Sequence, residues 1–251
     1  MVHRLIDESP DGETESRGAP FAPGGIAVVF GASGGIGRAL ITRLRAHPDF
    51  SIVSGYSRSG TIPLDLAVES SIEAVAAEVK SRGADVRLLI DATGVLQGEG
   101  SIAEKTWRQL DPAAMSRAFV VNAIGPALLM KHFLPLLPRE GKCVFATLSA
   151  RVGSIGDNRL GGWYSYRASK AALNQIMRTA AIELRRSRPD AVCVALHPGT
   201  VDTPLSAHFA KPGLEIQPPD TAANRIVAVL DTLTSASSGE FFDQRGRPIA
   251  W

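Results

Sequence analysis

The chain has 251 residues, of which 45% are hydrophobic and 21% charged; this is ordinary globular composition and excludes a disordered or fibrous chain. Lys and Arg number 27 against 25 Asp and Glu, and the cations are scattered, which excludes the basic footprint of a nucleic-acid or membrane-surface binder. No run approaches the roughly twenty consecutive apolar residues that span a bilayer, so a soluble, cytoplasmic protein is expected.

Residues 1–23 carry Asp7, Glu8, Asp11, Glu13 and Glu15 among Ser, Gly and Pro. They lack the apolar centre of a signal peptide and read as a flexible leader to a single domain over 24–251. From there, short apolar runs alternate with segments of helical periodicity, which predicts α/β architecture built on a doubly wound parallel sheet of about seven strands flanked by helices. The first strand covers 26–30. A Gly-rich turn follows, then a helix over 36–45 that stops near His47-Pro48. After a second strand at 51–56, a third element at 62–66 comes too soon for a crossover helix. Residues 67–82 form a helix with Ile72, Val75, Ala76 and Val79 on one face, and 86–92 form the next strand. Long helical tracts over 115–137 and 164–188 precede strands at 142–148 and 191–197. Five prolines in 198–219 predict a mobile loop over the strand ends, and a helix at 221–233 and a short strand at 240–243 close the sheet. Cys143 and Cys193 fall within strands and read as buried free thiols of a reducing compartment.

Gly31-Ala-Ser-Gly-Gly35-Ile-Gly37 follows a strand and opens a helix, the setting in which free amides at a helix N-terminus meet a pyrophosphate. A tight turn without a ligand has the same signature. The second strand ends in Gly55-Tyr-Ser-Arg58-Ser59 with no acid; a cation there suits the 2′-phosphate of NADP, whereas an acid would suit the ribose of NAD, and a solvated loop arginine is the alternative. Tyr166 and Lys170 stand four residues apart on one helix face. An ammonium beside a phenol favours the phenolate and brings it toward acid–base work, although the pair alone is common on surface helices. His197 and His208 lack metal-ligand spacing with nearby acids, so no metal is expected.

In order, Gly31-x-x-x-Gly35-x-Gly37, Asp91-Ala-Thr-Gly94, Asn122, Ser149, Tyr166-x-x-x-Lys170 and Pro198-Gly199 resemble the short-chain dehydrogenase/reductase family. The stretch from Ser149 to Tyr166 and the missing early helix resemble its C-factor and carbonyl-reductase-like group. The resemblance implies a Rossmann fold and an oxidoreductase passing a hydride between NADP(H) and a small carbonyl or alcohol substrate. Tyr166 would be the general acid/base, Lys170 would bind the nicotinamide ribose and lower the Tyr166 pKa, Ser149 would polarise the carbonyl, and Asn122 would hold a relay water; Asn122 also reads as a helix-kinking polar residue before Gly125 and Pro126.

The same resemblance lays the cofactor on Gly31, Ser33, Gly34, Gly35, Ile36 and Gly37, with Ser57 and Arg58 at the 2′-phosphate. Asp65 and Leu66 would meet the adenine. Ala92, Thr93 and Gly94 would line the middle, and Pro198, Gly199, Val201 and Thr203 the nicotinamide. It also implies subunit pairing through the long helices, and admits a nucleotide-responsive signalling role of the C-factor type. Phe30 stands in place of a threonine, Asp91 in place of an asparagine, and the gap from Ser149 to Tyr166 is long, with Ser154 as a rival to Ser149. Val95, Leu96, the insertion over 154–163 and the loop over 205–214 are the expected substrate pocket.

Overall fold

A computed structural model describes residues 20–96, 103–206 and 215–251. Most of the expected leader (1–19), residues 97–102, and the part of the expected loop that holds His208 (207–214) lie outside the described residues.

Four strands, β1 (Gly25–Phe30), β3 (Val86–Asp91), β4 (Cys143–Leu148) and β5 (Ala191–His197), are nearly continuous apolar runs and are buried almost throughout, as strands covered on both faces must be. With β2 (Phe50–Tyr56) and β8 (Phe241–Asp243) they form a parallel sheet in the order β2-β1-β3-β4-β5-β8. The chain leaves β1 for β2 on one side and returns to β3 on the other. That reversal opens a crevice at the strands' C-terminal ends, between β1 and β3.

Alternate strand residues point to opposite faces, and each face has its own core. Ile26, Val28, Phe30, Leu89 and Phe145 pack beneath α2 (Glu69–Ser81), α4 (Gly125–Phe133) and α5 (Tyr164–Leu184). Ala27, Val29, Ile90, Val144 and Val194 pack beneath α1 (Gly35–Arg45) and α6 (Pro219–Thr232). Phe21, ahead of the expected domain start at 24, is buried against Phe50 with ring centroids 5.1 Å apart. Packing therefore begins inside the stretch read as leader.

Three expectations change. The main sheet has six strands, because 62–66 is not one of them: Pro63 has no N–H to give a ladder, and the Leu64 amide instead donates to the Ser57 carbonyl at 3.0 Å, folding the segment back on the end of β2. Within the expected mobile loop, β6 (Thr200–Val201) and β7 (Ile216–Gln217) pair as a small parallel sheet. The helix expected over 115–137 is divided into α3 (Pro112–Phe119), a π turn at Val120–Ile124, α4 and a final tight turn. Pro126 has no N–H for the Asn122 carbonyl and its ring crowds that position; the Gly125 amide reaches back five residues to Val120. By its length and an 18-residue stretch of mean hydropathy 1.4 the tract Pro112–Leu136 could cross a bilayer, yet its Leu129, Met130 and Phe133 lie in the core.

Candidate active site

The crevice is floored by the glycine turn. Gly31 has φ +80, and a Cβ on it would stand 2.8 Å from the Ala92 carbonyl oxygen; a Cβ on Gly37 would stand 2.2 Å from the Gly31 carbonyl. Only glycine lets β1, α1 and the β3 end approach so closely. Helix α1 starts after Gly34 with no side-chain cap and no acid in its first turn, so its leading amides and positive dipole end are left for an anion. Ser33 and Gly34 are exposed there, Ile36 packs against the core beneath α1 and α6, and Thr203 from beyond β6 lies over Gly35.

At the end of β2, Ser57 is half-buried and Arg58 exposed, and Arg58 makes no ion pair among the described residues. Asp65 turns its carboxylate back on its own chain, accepting from the Ala67 amide at 2.9 Å, and Leu66 is buried in the core beneath α2, α4 and α5. Asp91 ends β3 almost fully buried and accepts from the Thr93 amide at 3.0 Å and the Thr147 hydroxyl at 2.9 Å. Burial raises its pKa, with Thr93, Lys170 and Thr147 opposing. It thus braces β3 against β4 as a hydrogen-bonded carboxylate in place of the expected asparagine. The Ala92 to Gly94 backbone beyond it forms the next wall.

The π turn aims Asn122 inward. Its carboxamide is buried, accepts from the Val95 amide at 2.8 Å, donates to the Val95 carbonyl at 2.7 Å and to Ser169 at 3.1 Å. Its Oδ1 and the Lys170 Nζ both stand 3.6 Å from the point where a Cβ on Gly94 would be. Lys170 is buried and donates to the Leu148 carbonyl at 2.8 Å. Ser149 follows directly, buried, with its hydroxyl donating to Asn174 Oδ1 at 2.6 Å. Ser154, the rival, instead accepts from the Asp157 amide at 3.0 Å and shapes a turn of the insertion.

Tyr166 is half-buried one turn before Lys170. Burial pushes its pKa up to about 12 and pulls that of Lys170 down to about 8, the latter against the pull of Asp91. The tyrosine shift runs opposite to the one predicted, because desolvation dominates the phenol. Trp163, at the start of α5 with φ 53, sets its ring edgewise 6.5 Å from that of Tyr166.

Two positioning groups escape the sequence reading. Arg167 donates to the carbonyls of Gly162 at 3.0 Å, Val152 at 3.1 Å and Gly161 at 3.2 Å, clamping both ends of the insertion to α5. Gln217 donates to the Pro198 carbonyl at 2.6 Å and lies against Gly199, holding the 198–203 loop and the buried Val201 beside the β5 end. Neither belongs to a recognisable spacing. Asn174 is different: it stands four residues after Lys170, on the same face of α5.

Residues 41–227 match the family described as Enoyl-(Acyl carrier protein) reductase. The chain is 37% identical over 143 residues to the C-signal protein of Myxococcus xanthus, covering 57% of this chain and 81% of that protein. It is 33% identical over 190 residues to 1-hydroxy-2-glutathionyl-2-methyl-3-butene dehydrogenase of Rhodococcus sp. strain AD45, covering 75% and 78%. Its fold superposes on NADPH-bound carbonyl reductase from chicken fatty liver with a TM-score of 0.80 at 28% identity, over 92% of this chain and 96% of that one.

Proposed function

Because the chain belongs to the short-chain dehydrogenase/reductase family, in its C-factor and carbonyl-reductase group, we propose that it is an NADP(H)-preferring oxidoreductase interconverting small carbonyl compounds and alcohols. The observation that carries this is the meeting of Lys170 and Ser149 at the end of β4, with Tyr166 one helical turn away and the Lys170 ammonium beside Gly94 beyond the β3 end.

The residues fit a dinucleotide. The uncapped α1 N-terminus would hold the pyrophosphate, and Arg58 with Ser57 and Ser59 the 2′-phosphate. The space above Gly94, flanked by Asn122 and Lys170, would take the nicotinamide ribose. When bound, the cofactor supplies the hydride that is added to the carbonyl carbon. Ser149 orients and polarises the carbonyl oxygen, and Tyr166 gives that oxygen its proton. A phenol whose pKa is pushed up to about 12 holds its proton at neutral pH, as a donor in the reducing direction must. The exposed Ile155 and Leu160 of the insertion favour apolar substrates. The buried, unpaired thiols of Cys143 and Cys193 suit a reducing, cytoplasmic setting.

Purified protein is expected to oxidise NADPH with members of an aldehyde and ketone panel, and Tyr166→Phe to abolish turnover while NADPH still quenches protein fluorescence. Undiminished turnover in that variant overturns the assignment. The likeness to C-signal favours a second reading, a nucleotide-responsive signalling protein, in which the biological output survives Tyr166→Phe.

A further inference from the structure

Tyr166, Lys170 and Asn174 occupy one stripe of α5 at successive turns. The first two have roles in the reading above; the third does not. Asn174 is only 3% exposed, its Oδ1 accepts the Ser149 proton at 2.6 Å, and its Nδ2 is buried without a hydrogen-bond partner among the described residues. A buried amide donor left unpaired is rare in folded proteins and calls for an explanation.

The serine proton is also in the wrong place for the chemistry. A hydroxyl has one proton, and in this structure it is given to Asn174. To polarise a carbonyl, Ser149 must turn that proton to the substrate and accept a hydrogen bond from behind. The two ends of a carboxamide have nearly the same shape, so a half-turn of Asn174 exchanges Oδ1 for Nδ2 at an unchanged position. It would put the unpaired donor on Ser149 Oγ and leave an unpaired carbonyl oxygen in its stead, the more tolerable of the two omissions.

We propose that Asn174 is the positioning residue for Ser149, its carboxamide turning over so that Nδ2 donates to Ser149 Oγ and the serine proton is released to the substrate carbonyl oxygen. This rests on the oxidoreductase reading. In the resting site Asn174 holds the proton; in the loaded site it fixes the serine oxygen and strengthens the hydroxyl as a donor.

Asn174→Asp is the informative variant, because a carboxylate can only accept and so keeps the serine proton turned away, whereas a protonated carboxyl can donate. NADPH-dependent ketone reduction by Asn174→Asp is expected to fall about a hundredfold at about pH 7, the scale of a lost oxyanion donor, and to recover at least about tenfold, relative to the parent, as pH is lowered to about 5.5. Asn174→Ala is expected to lose activity with a profile parallel to the parent's, and neither change is expected to reduce activity further in a Ser149→Ala background. A carboxylate at 174 also raises the pKa of Lys170, so the comparison is read between about pH 7 and about pH 5.5, where Lys170 is charged in both variants and a recovery seen only in Asn174→Asp belongs to the introduced carboxyl.

Parallel profiles for Asn174→Asp and Asn174→Ala, or additive losses with Ser149→Ala, overturn the proposal. NADPH affinity read by fluorescence shows that each variant is folded. An inactive parent, or an active Tyr166→Phe, would instead overturn the oxidoreductase reading.

Discussion

Lys170 pairs a buried ammonium with a single carbonyl and a distant carboxylate, and burial lowers its pKa to about 8. Between about 8 and 10.5 the unfolded chain binds that proton while the folded one has released it, so this residue's contribution to stability rises with pH across the window. Measured by urea unfolding, the parent is expected to gain on Lys170→Met by up to about 3 kcal/mol between about pH 7.5 and pH 10; a gap that does not change with pH would contradict the burial seen here. Arg58 tests the other end of the site. Its exposed guanidinium is expected to set the cofactor choice, and Arg58→Ala should cut the NADPH to NADH ratio of kcat/KM by at least about tenfold, the scale of a lost charged hydrogen bond.

At this scale the sequence was informative where chemistry depends on fixed spacing. Lys170 reaches the β4 end next to Ser149 and stands beside Gly94, and Tyr166 lies one turn before it on α5, because each follows a strand or shares a helix face. The direction of the tyrosine shift was not legible, since it depends on how far tertiary packing desolvates the phenol. Asn174 lay in plain view on the right helical stripe, but a polar residue in a long helix carries no sign that it is buried.

Among the elements, α3 owes its start to Asp111, whose carboxylate accepts from the amides of Ala113 and Ala114 at 3.2 and 3.1 Å. Asp111→Ala removes the cap and is expected to cost about 1 kcal/mol, visible as a lower urea midpoint with turnover retained. Loss of turnover at unchanged stability would show that α3 reaches the site in some way the packing does not reveal. The periodicity of 115–137 showed helix but not its division. A π turn arises from Pro126 and from the packing of Asn122 against Val95, and a tertiary contact leaves no mark in helical spacing. The segment 62–66 misled for a related reason: Leu64 and Leu66 are buried as in a strand, yet Pro63 denies them a ladder.

Over the whole molecule, two cores share a single sheet, and β1 contributes to both through alternate residues. Phe30, which stands where the family often has a threonine, is fully buried with its ring 4.7 Å from that of Phe133. Phe30→Thr is expected to cost about 3 kcal/mol or more and to lower Tm by roughly 6–12 °C. Calorimetry should show one transition, since unfolding β1 removes the floor of both cores; two separated transitions would mean that the faces melt independently. The alternation of elements revealed this architecture because buried parallel strands are apolar throughout.

The spiral at Val120–Ile124 contains one residue more than the same rise would need at ordinary pitch. Excising any one of those five would let the tract run on at ordinary pitch with its flanks nearly unrotated, and would close the bulge that turns Asn122 toward Val95. Residue number is therefore constrained here alongside residue type: a single-codon deletion anywhere in the turn should cost the bonds that Asn122 makes to Val95, as a substitution of Asn122 itself would.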